Sequence, residues 1–204
     1  MKESSFLRKP ILAGLFLAVA GAFIWSACSY SPVTAKAAVK PEKERKAAPE
    51  FALKDANGQT VHIADYKGKV VLLDFWATWC APCKIEIPWF MEFEQQLKDR
   101  GFAVLGVSMD EDGWAAVKPY IQTLKVNYRI VLGTEQVGNL YGGVDSLPTT
   151  FLIDRQGKIA SIHVGLSRGK EEFRNDIVQL LDAPRAGVRP RNVGAFAFLE
   201  RPNY

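Results

Sequence analysis

Cysteine and histidine are scarce here: the 204 residues include three cysteines and two histidines. Three cysteines cannot staple a chain of this length, which excludes a disulfide scaffold. A zinc site built on two of them would need two further ligands from Cys28, His62 and His163, and Cys28 falls in an apolar N-terminal run. The sixteen glycines show no three-residue period, so the chain is not collagen-like, and no internal repeat is visible. There is no long hydrophobic run beyond the first thirty residues, which excludes a polytopic membrane protein. With 48% hydrophobic and 24% charged residues, the chain is not a disordered polyampholyte either. What remains suits one domain with additions, since domains mostly run about 100–200 residues.

The formal net charge of +4 would suit nucleic acid or an anionic membrane, but its distribution argues otherwise. Residues 1–50 carry eight basic and four acidic side chains, and residues 183–204 carry four arginines against Glu200. The stretch 51–182 holds fourteen basic and seventeen acidic residues and is mildly acidic. Basicity belongs to the two ends, so no nucleic-acid partner is expected.

Lys2, Arg8 and Lys9 precede a stretch free of charge from Pro10 through Ala35. Ile11–Tyr30 is just long enough to cross a bilayer, which takes about 20 apolar residues. The flanking charges favour an N-terminus that stays inside. Three fates fit: a retained membrane anchor, a secretory signal cut near Ala35-Lys36-Ala37, or a lipoprotein signal with lipid on Cys28. Ser26-Ala27-Cys28 looks like the end of a lipobox, with Trp25 where an aliphatic residue usually stands. Each fate puts the remainder of the chain on the extracytoplasmic (periplasmic or outer) side. The expected organisation is a signal or anchor over 1–30, a flexible linker over 31–50, a folded domain over 51–182 and an irregular tail over 183–204. The linker is rich in Ala, Pro and Lys and has no apolar face to bury.

Within the domain, Asn57-Gly58 lies between short apolar runs and predicts a β-hairpin. Val70–Trp76 and Phe102–Met109 read as strands buried on both faces. Between them a helix opens after Pro82, with Ile85, Trp89, Phe93 and Leu97 at i+4 spacing and Gly101 as a stop. A helix over 113–125, kinked or shifted by Pro119, a strand over 128–132 and a short helix over 135–141 come next. A strand pair, 149–154 and 158–164, and an amphipathic helix over 168–181 complete an α/β arrangement, a mixed sheet covered by helices.

The chemistry sits at Trp79-Cys80-Ala81-Pro82-Cys83, directly after a buried strand and at the start of a helix. Unpaired N–H groups and partial positive charge at a helix N-terminus favour a thiolate. Cys80 at the cap position is thus the expected nucleophile, and Cys83, one turn inside, the partner for a redox disulfide. A purely structural bond closing so short a loop would gain little chain entropy. Asp74, in the middle of an apolar strand, is expected to have a raised pKa and to accept the Cys83 proton. The bland alternative for Asp74 is a strand-end charge paired with a lysine. Pro148, in Leu147-Pro148-Thr149, heads a strand where an ordinary proline is awkward; a cis bond there would present the Leu147 backbone to an extended substrate. Trp79, Pro82, Leu147 and Pro148 form the expected substrate-contacting set.

Together, Asp74-Phe75-Trp76-Ala77-x-Trp79-Cys80-x-Pro82-Cys83-Lys84, Pro88 and the Pro148 loop resemble the thioredoxin superfamily. The N-terminal hairpin, the anchor, Lys84-x-Glu86-x-Pro88 and Leu147-Pro148-Thr149-Thr150-Phe151-Leu152-Ile153-Asp154-x-x-Gly157 are similar to one branch. These are the membrane-tethered extracytoplasmic thiol–disulfide oxidoreductases of the TlpA/ResA type. The similarity covers about 47–182. It implies a thioredoxin-like three-layer fold with an extra N-terminal β-hairpin, and no cofactor or metal. It also implies disulfide-bearing protein substrates, among them apocytochrome c, and an integral-membrane thiol reductase as electron donor. Ala81 stands where some cytochrome-maturation members have Glu, which counts against that substrate, and Asp74 matches cytosolic thioredoxins rather than members with Asn, which suggests a more general reductant. Two alternatives are a peroxiredoxin-like thiol peroxidase, whose Pro-x-x-x-Thr-x-x-Cys context Thr78-Trp79-Cys80 does not supply, and a copper-binding module using His163.

Overall fold

The computed structural model describes residues 39–166 and 169–184. The segment Ile11–Tyr30, Cys28 and the tail from residue 185 onward lie outside the described residues. Among the described residues, no helix is long and apolar enough to cross a membrane.

The two longest apolar runs make the centre of the molecule. Strands β4 (Val70–Trp76) and β5 (Phe102–Ser108) are buried at every position and pair in parallel, Val70 with Phe102 through Trp76 with Ser108. Strand β6 (Arg129–Leu132) extends the parallel side. Strands β7 (Thr149–Ile153) and β8 (Lys158–Val164) add an antiparallel hairpin beyond β4. With the two-residue β1 (Lys46–Ala47), the order is β1-β8-β7-β4-β5-β6. The hairpin expected around Asn57-Gly58 forms a second, two-stranded sheet, β2 (Ala52–Lys54) with β3 (Thr60–His62). Its turn is built by Asp55, whose Oδ1 accepts from the Asn57 and Gln59 amides, with Gly58 at φ +77°.

Helices α1 (Ala81–Leu97), α2 (Trp114–Leu124) and α4 (Lys170–Asp182) cover one face, where Val70, Leu72 and Trp76 pack with Phe90, Phe93, Val117, Phe173 and Ile177. The short α3 (Glu135–Leu140) and the hairpin cover the other, where Val71, Leu73 and Phe75 meet Leu53, Val61, Val137 and Tyr141. Full burial of one such side chain contributes about 1.5–3 kcal/mol. The period of two along β4 puts Asp74 on the α1 face, between Leu72 and Trp76.

Three expectations shift. The buried side of α1 is Cys83, Glu86, Ile87, Phe90, Phe93 and Leu97, whereas Ile85 is exposed. Pro119 sits inside α2 and does not move its start, which lies after Gly113. The stretch read as a linker over 31–50 is docked from its described beginning. The Lys40 amide donates to the Ala160 carbonyl at 2.7 Å, Lys46 and Ala47 pair with Ile159 and Lys158, and Ala48 is buried. The Arg45 guanidinium reaches the buried Asp154 carboxylate at 2.9 Å. The edge of β8 supplies backbone partners, and Val39 and Ala48 pack on the two cores, so this segment adds to the sheet with few apolar contacts of its own.

Candidate active site

The site lies where β4 runs out at its C-terminal end. The turn between β4 and α1 is held by a carboxylate that the sequence pattern does not single out. Asp110, just past β5, accepts from the Thr78 amide at 3.0 Å, from the Thr78 hydroxyl and from the Ser108 hydroxyl at 2.8 Å. The Met109 amide also donates to the Trp76 carbonyl at 2.8 Å. These bonds fix the approach to Cys80, which caps α1: its Sγ accepts from the Cys83 amide at 3.2 Å. Pro82 occupies the first turn, where its missing N–H leaves no bond unmade.

Cys80 and Cys83 are joined by a disulfide, with 5.3 Å between their Cα atoms. Both are buried, at 4% and 1% exposure, while Trp79 beside them is 67% exposed. The Leu147–Pro148 bond is cis. Thr149 pairs with Phe75, so Pro148 stands level with the end of β4, next to the turn that carries Cys80. Leu147 is half-buried and packs against both cores. The chain thus brings together Asp74, Trp79, Cys80, Pro82, Cys83, Leu147 and Pro148.

Behind the disulfide lie two buried carboxyls. Asp74 is 1% exposed; among the described residues no lysine pairs with it, and its Oδ1 accepts from the Thr150 hydroxyl at 3.1 Å across the β4–β7 register. Burial pushes its pKa up to about 7, against a smaller opposing effect of the Thr150 bond. Glu86, one turn beyond Cys83 on the buried side of α1, is also 1% exposed, and neither carboxyl oxygen has a hydrogen-bond partner among the described residues. Burial, with the Asp74 charge nearby, raises it to about 8. The sequence shows Glu86 only as part of a family pattern; its i+3 spacing from Cys83 is the signal for its place.

These acids make stability depend on pH. Asp74 has a folded pKa above its unfolded value, so its stabilising effect is full only below the unfolded pKa of about 4 and is lost as pH rises from there through about 7. An Asp74→Asn variant escapes that loss. It is expected to gain on the order of 3 kcal/mol over the parent between pH 4 and pH 8.5. Urea unfolding midpoints at the two pH values measure this, and parallel curves would refute it.

His163, the residue of the copper alternative, lies in the core between β8 and α4. Its ring stacks on Phe173 with centroids 4.4 Å apart, and Nε2 sits 3.1 Å from Ser161 Oγ and 3.5 Å from Asp176 Oδ2. Among the described residues, no group of three or more His, Cys, Asp or Glu side chains is placed to hold a metal ion.

The model of the AhpC/TSA family matches residues 45–162. The chain is 36% identical over 165 residues to the thiol-disulfide oxidoreductase ResA of Bacillus subtilis (strain 168), covering 80% of this chain and 87% of ResA. The ResA of Geobacillus thermodenitrificans (strain NG80-2) is 33% identical over 177 residues, 86% and 96% of the two chains. Among solved structures, a putative thiol:disulfide interchange protein DsbE from Chlorobium tepidum superposes with a TM-score of 0.63 at 36% identity, over 67% of this chain and 96% of that one. The thioredoxin-like fold is shared.

Proposed function

The chain belongs to the AhpC/TSA family and is a thiol–disulfide oxidoreductase, and from this premise we propose that it reduces protein disulfides on the outer side of the cytoplasmic membrane through Cys80 and Cys83. The observation that carries the reading is the Cys80 sulfur at the N-cap of α1, accepting the Cys83 amide. That N–H and the helix dipole stabilise a Cys80 thiolate once the bond is reduced. The thiolate attacks a substrate disulfide and forms a mixed disulfide, releasing one substrate thiolate. Cys83 gives its proton to the buried carboxyls, Asp74 first among them, and displaces the second substrate sulfur from Cys80. Two electrons pass to the substrate and the Cys80–Cys83 bond closes. An integral-membrane thiol reductase would restore the dithiol. Trp79, Pro82 and Leu147, with Pro148 buried beside Leu147, form the site on which an extended substrate lies, and apocytochrome c is one candidate substrate.

An uncharged Ala81-Pro82 pair between the cysteines favours the reducing direction. The reduction potential is expected below about −200 mV, and a value near −120 mV, that of a strong oxidant, would sink the assignment. A peroxidase reading is not favoured: Leu73 and Ala77 stand where Pro-x-x-x-Thr-x-x-Cys would place its proline and threonine relative to Cys80.

A further inference from the structure

Three buried side chains on the α1 face of the sheet carry polar atoms without a hydrogen-bond partner among the described residues: both carboxyl oxygens of Glu86, the Trp76 indole Nε1 and the Tyr128 hydroxyl. They share one neighbourhood. Trp76 is two residues past Asp74 on β4, facing the same way. Gly106, paired with Asp74 on β5, is where the other two rings meet. A β-carbon at Gly106 would lie 3.0 Å from Trp76 Nε1 and 3.4 Å from Tyr128 Cε2. Asp74, Tyr120, Glu86 and Glu94 are all close enough to Tyr128 for their charges to oppose its ionisation, which burial already disfavours.

Their chemistry is complementary. An indole N–H only donates, a phenol donates or accepts, and an ionised carboxyl only accepts. Buried polar groups without a protein partner are the usual seat of an internal water, which needs two to four such partners. Tyr128 immediately precedes β6, and the thiol exchange itself makes no use of it.

We propose that Tyr128 is a positioning residue for the proton step: through an internal water, and together with the Trp76 indole, its hydroxyl donates to the Glu86–Asp74 carboxyl pair and sets the pH at which that pair accepts the Cys83 proton. The proton leaves Cys83 Sγ for the carboxyl pair, the Cys83 thiolate bonds to Cys80 Sγ, and the substrate sulfur departs as a thiolate. The inference rests on Cys83 as the resolving thiol.

Tyr128→Phe removes one oxygen that no protein group among the described residues satisfies and keeps the ring packed. The probe is an aromatic disulfide that releases one chromophoric thiolate on attack by Cys80 and a second on resolution by Cys83. The second release is followed from pH 5 to pH 10. A hydrogen bond to a carboxylate favours its charged form, so its loss is expected to move the inflection up by about one pH unit and slow resolution at pH 7 severalfold, with rates above pH 9 unchanged. Glu86→Gln is run beside it. A shift in Glu86→Gln without one in Tyr128→Phe overturns the inference and leaves the oxidoreductase reading intact. No shift in either removes the carboxyl pair from the step, and the inference with it. Absence of any second release would overturn the role of Cys83 itself. A readout independent of turnover is the infrared stretch of the protonated carboxyls, expected to rise in frequency in Tyr128→Phe; an unchanged band counts against the proposal.

Discussion

In a Cys83→Ser variant, substrate is expected to remain covalently attached to Cys80, whereas Cys80→Ser loses disulfide-reducing activity by on the order of a thousandfold or more. The asymmetry follows from the two positions. The Cys80 sulfur sits at the cap beside exposed Trp79, and Cys83 lies deeper, at 1% exposure. Without Cys83 the mixed disulfide has no internal thiol to resolve it. Mass spectrometry of non-reduced extracts after acid quenching identifies the trapped substrates. The same adducts on Cys83→Ser and Cys80→Ser would overturn the division of roles. Haem-binding sequences among the trapped partners would establish apocytochrome c as a substrate.

Replacing the buried carboxyls should act on the second half of the cycle. Asp74→Asn and Glu86→Gln are each expected to slow resolution at pH 7 by about 10²-fold, within the range that general acid–base catalysis supplies. Attack by Cys80 should change little. With pKa values raised to about 7 and about 8, the two acids begin to ionise near neutrality, where they can both take up and return a proton. Because each lies in the other's field, the pair titrates in two steps that belong to neither residue alone, and the double variant should not equal the product of the singles. The deficit is expected to shrink above pH 9, where solvent can remove the proton. Rapid-mixing measurements of both release phases test this; an Asp74→Asn resolution rate equal to the parent's between pH 7 and pH 8 removes the role of Asp74.

How far these groups are legible in the sequence varies with the kind of signal. The strands of the core are legible because Val70–Trp76 is almost wholly apolar, and a single carboxylate inside such a run advertises its own burial. The pair Cys80–Cys83 is legible because Pro82 and the preceding strand mark the helix start. The buried side of α1 is not. A row at i+4 drifts by about 40° per step around a helix of 3.6 residues per turn, so Ile85, Trp89, Phe93 and Leu97 cannot all share one face. The true face is built of spacings of three and four: Glu86 and Ile87 both follow Cys83, and Phe90, Phe93 and Leu97 continue from them. That phase error hides Glu86. Asp110 and Thr150 escape for another reason: their partners, Thr78 and Asp74, are supplied by strand register, 32 and 76 residues away in sequence. The docking of 39–48 is illegible because backbone groups make most of it, and hydropathy does not record them.

The same docked segment bears on self-association. An open six-stranded sheet has two outer strands, each able to template pairing with another copy. Here one outer strand, β1, is two residues long, with Pro49 two residues past Ala47. The other, β6, is four residues long, starts on exposed Arg129 and is bridged at Val131 by Asp55 beside the β2–β3 hairpin. Neither border offers a long, flat run of unpaired backbone. A thiol–disulfide oxidoreductase with such borders can exchange disulfides with other chains without its sheet edges recruiting them into aggregates.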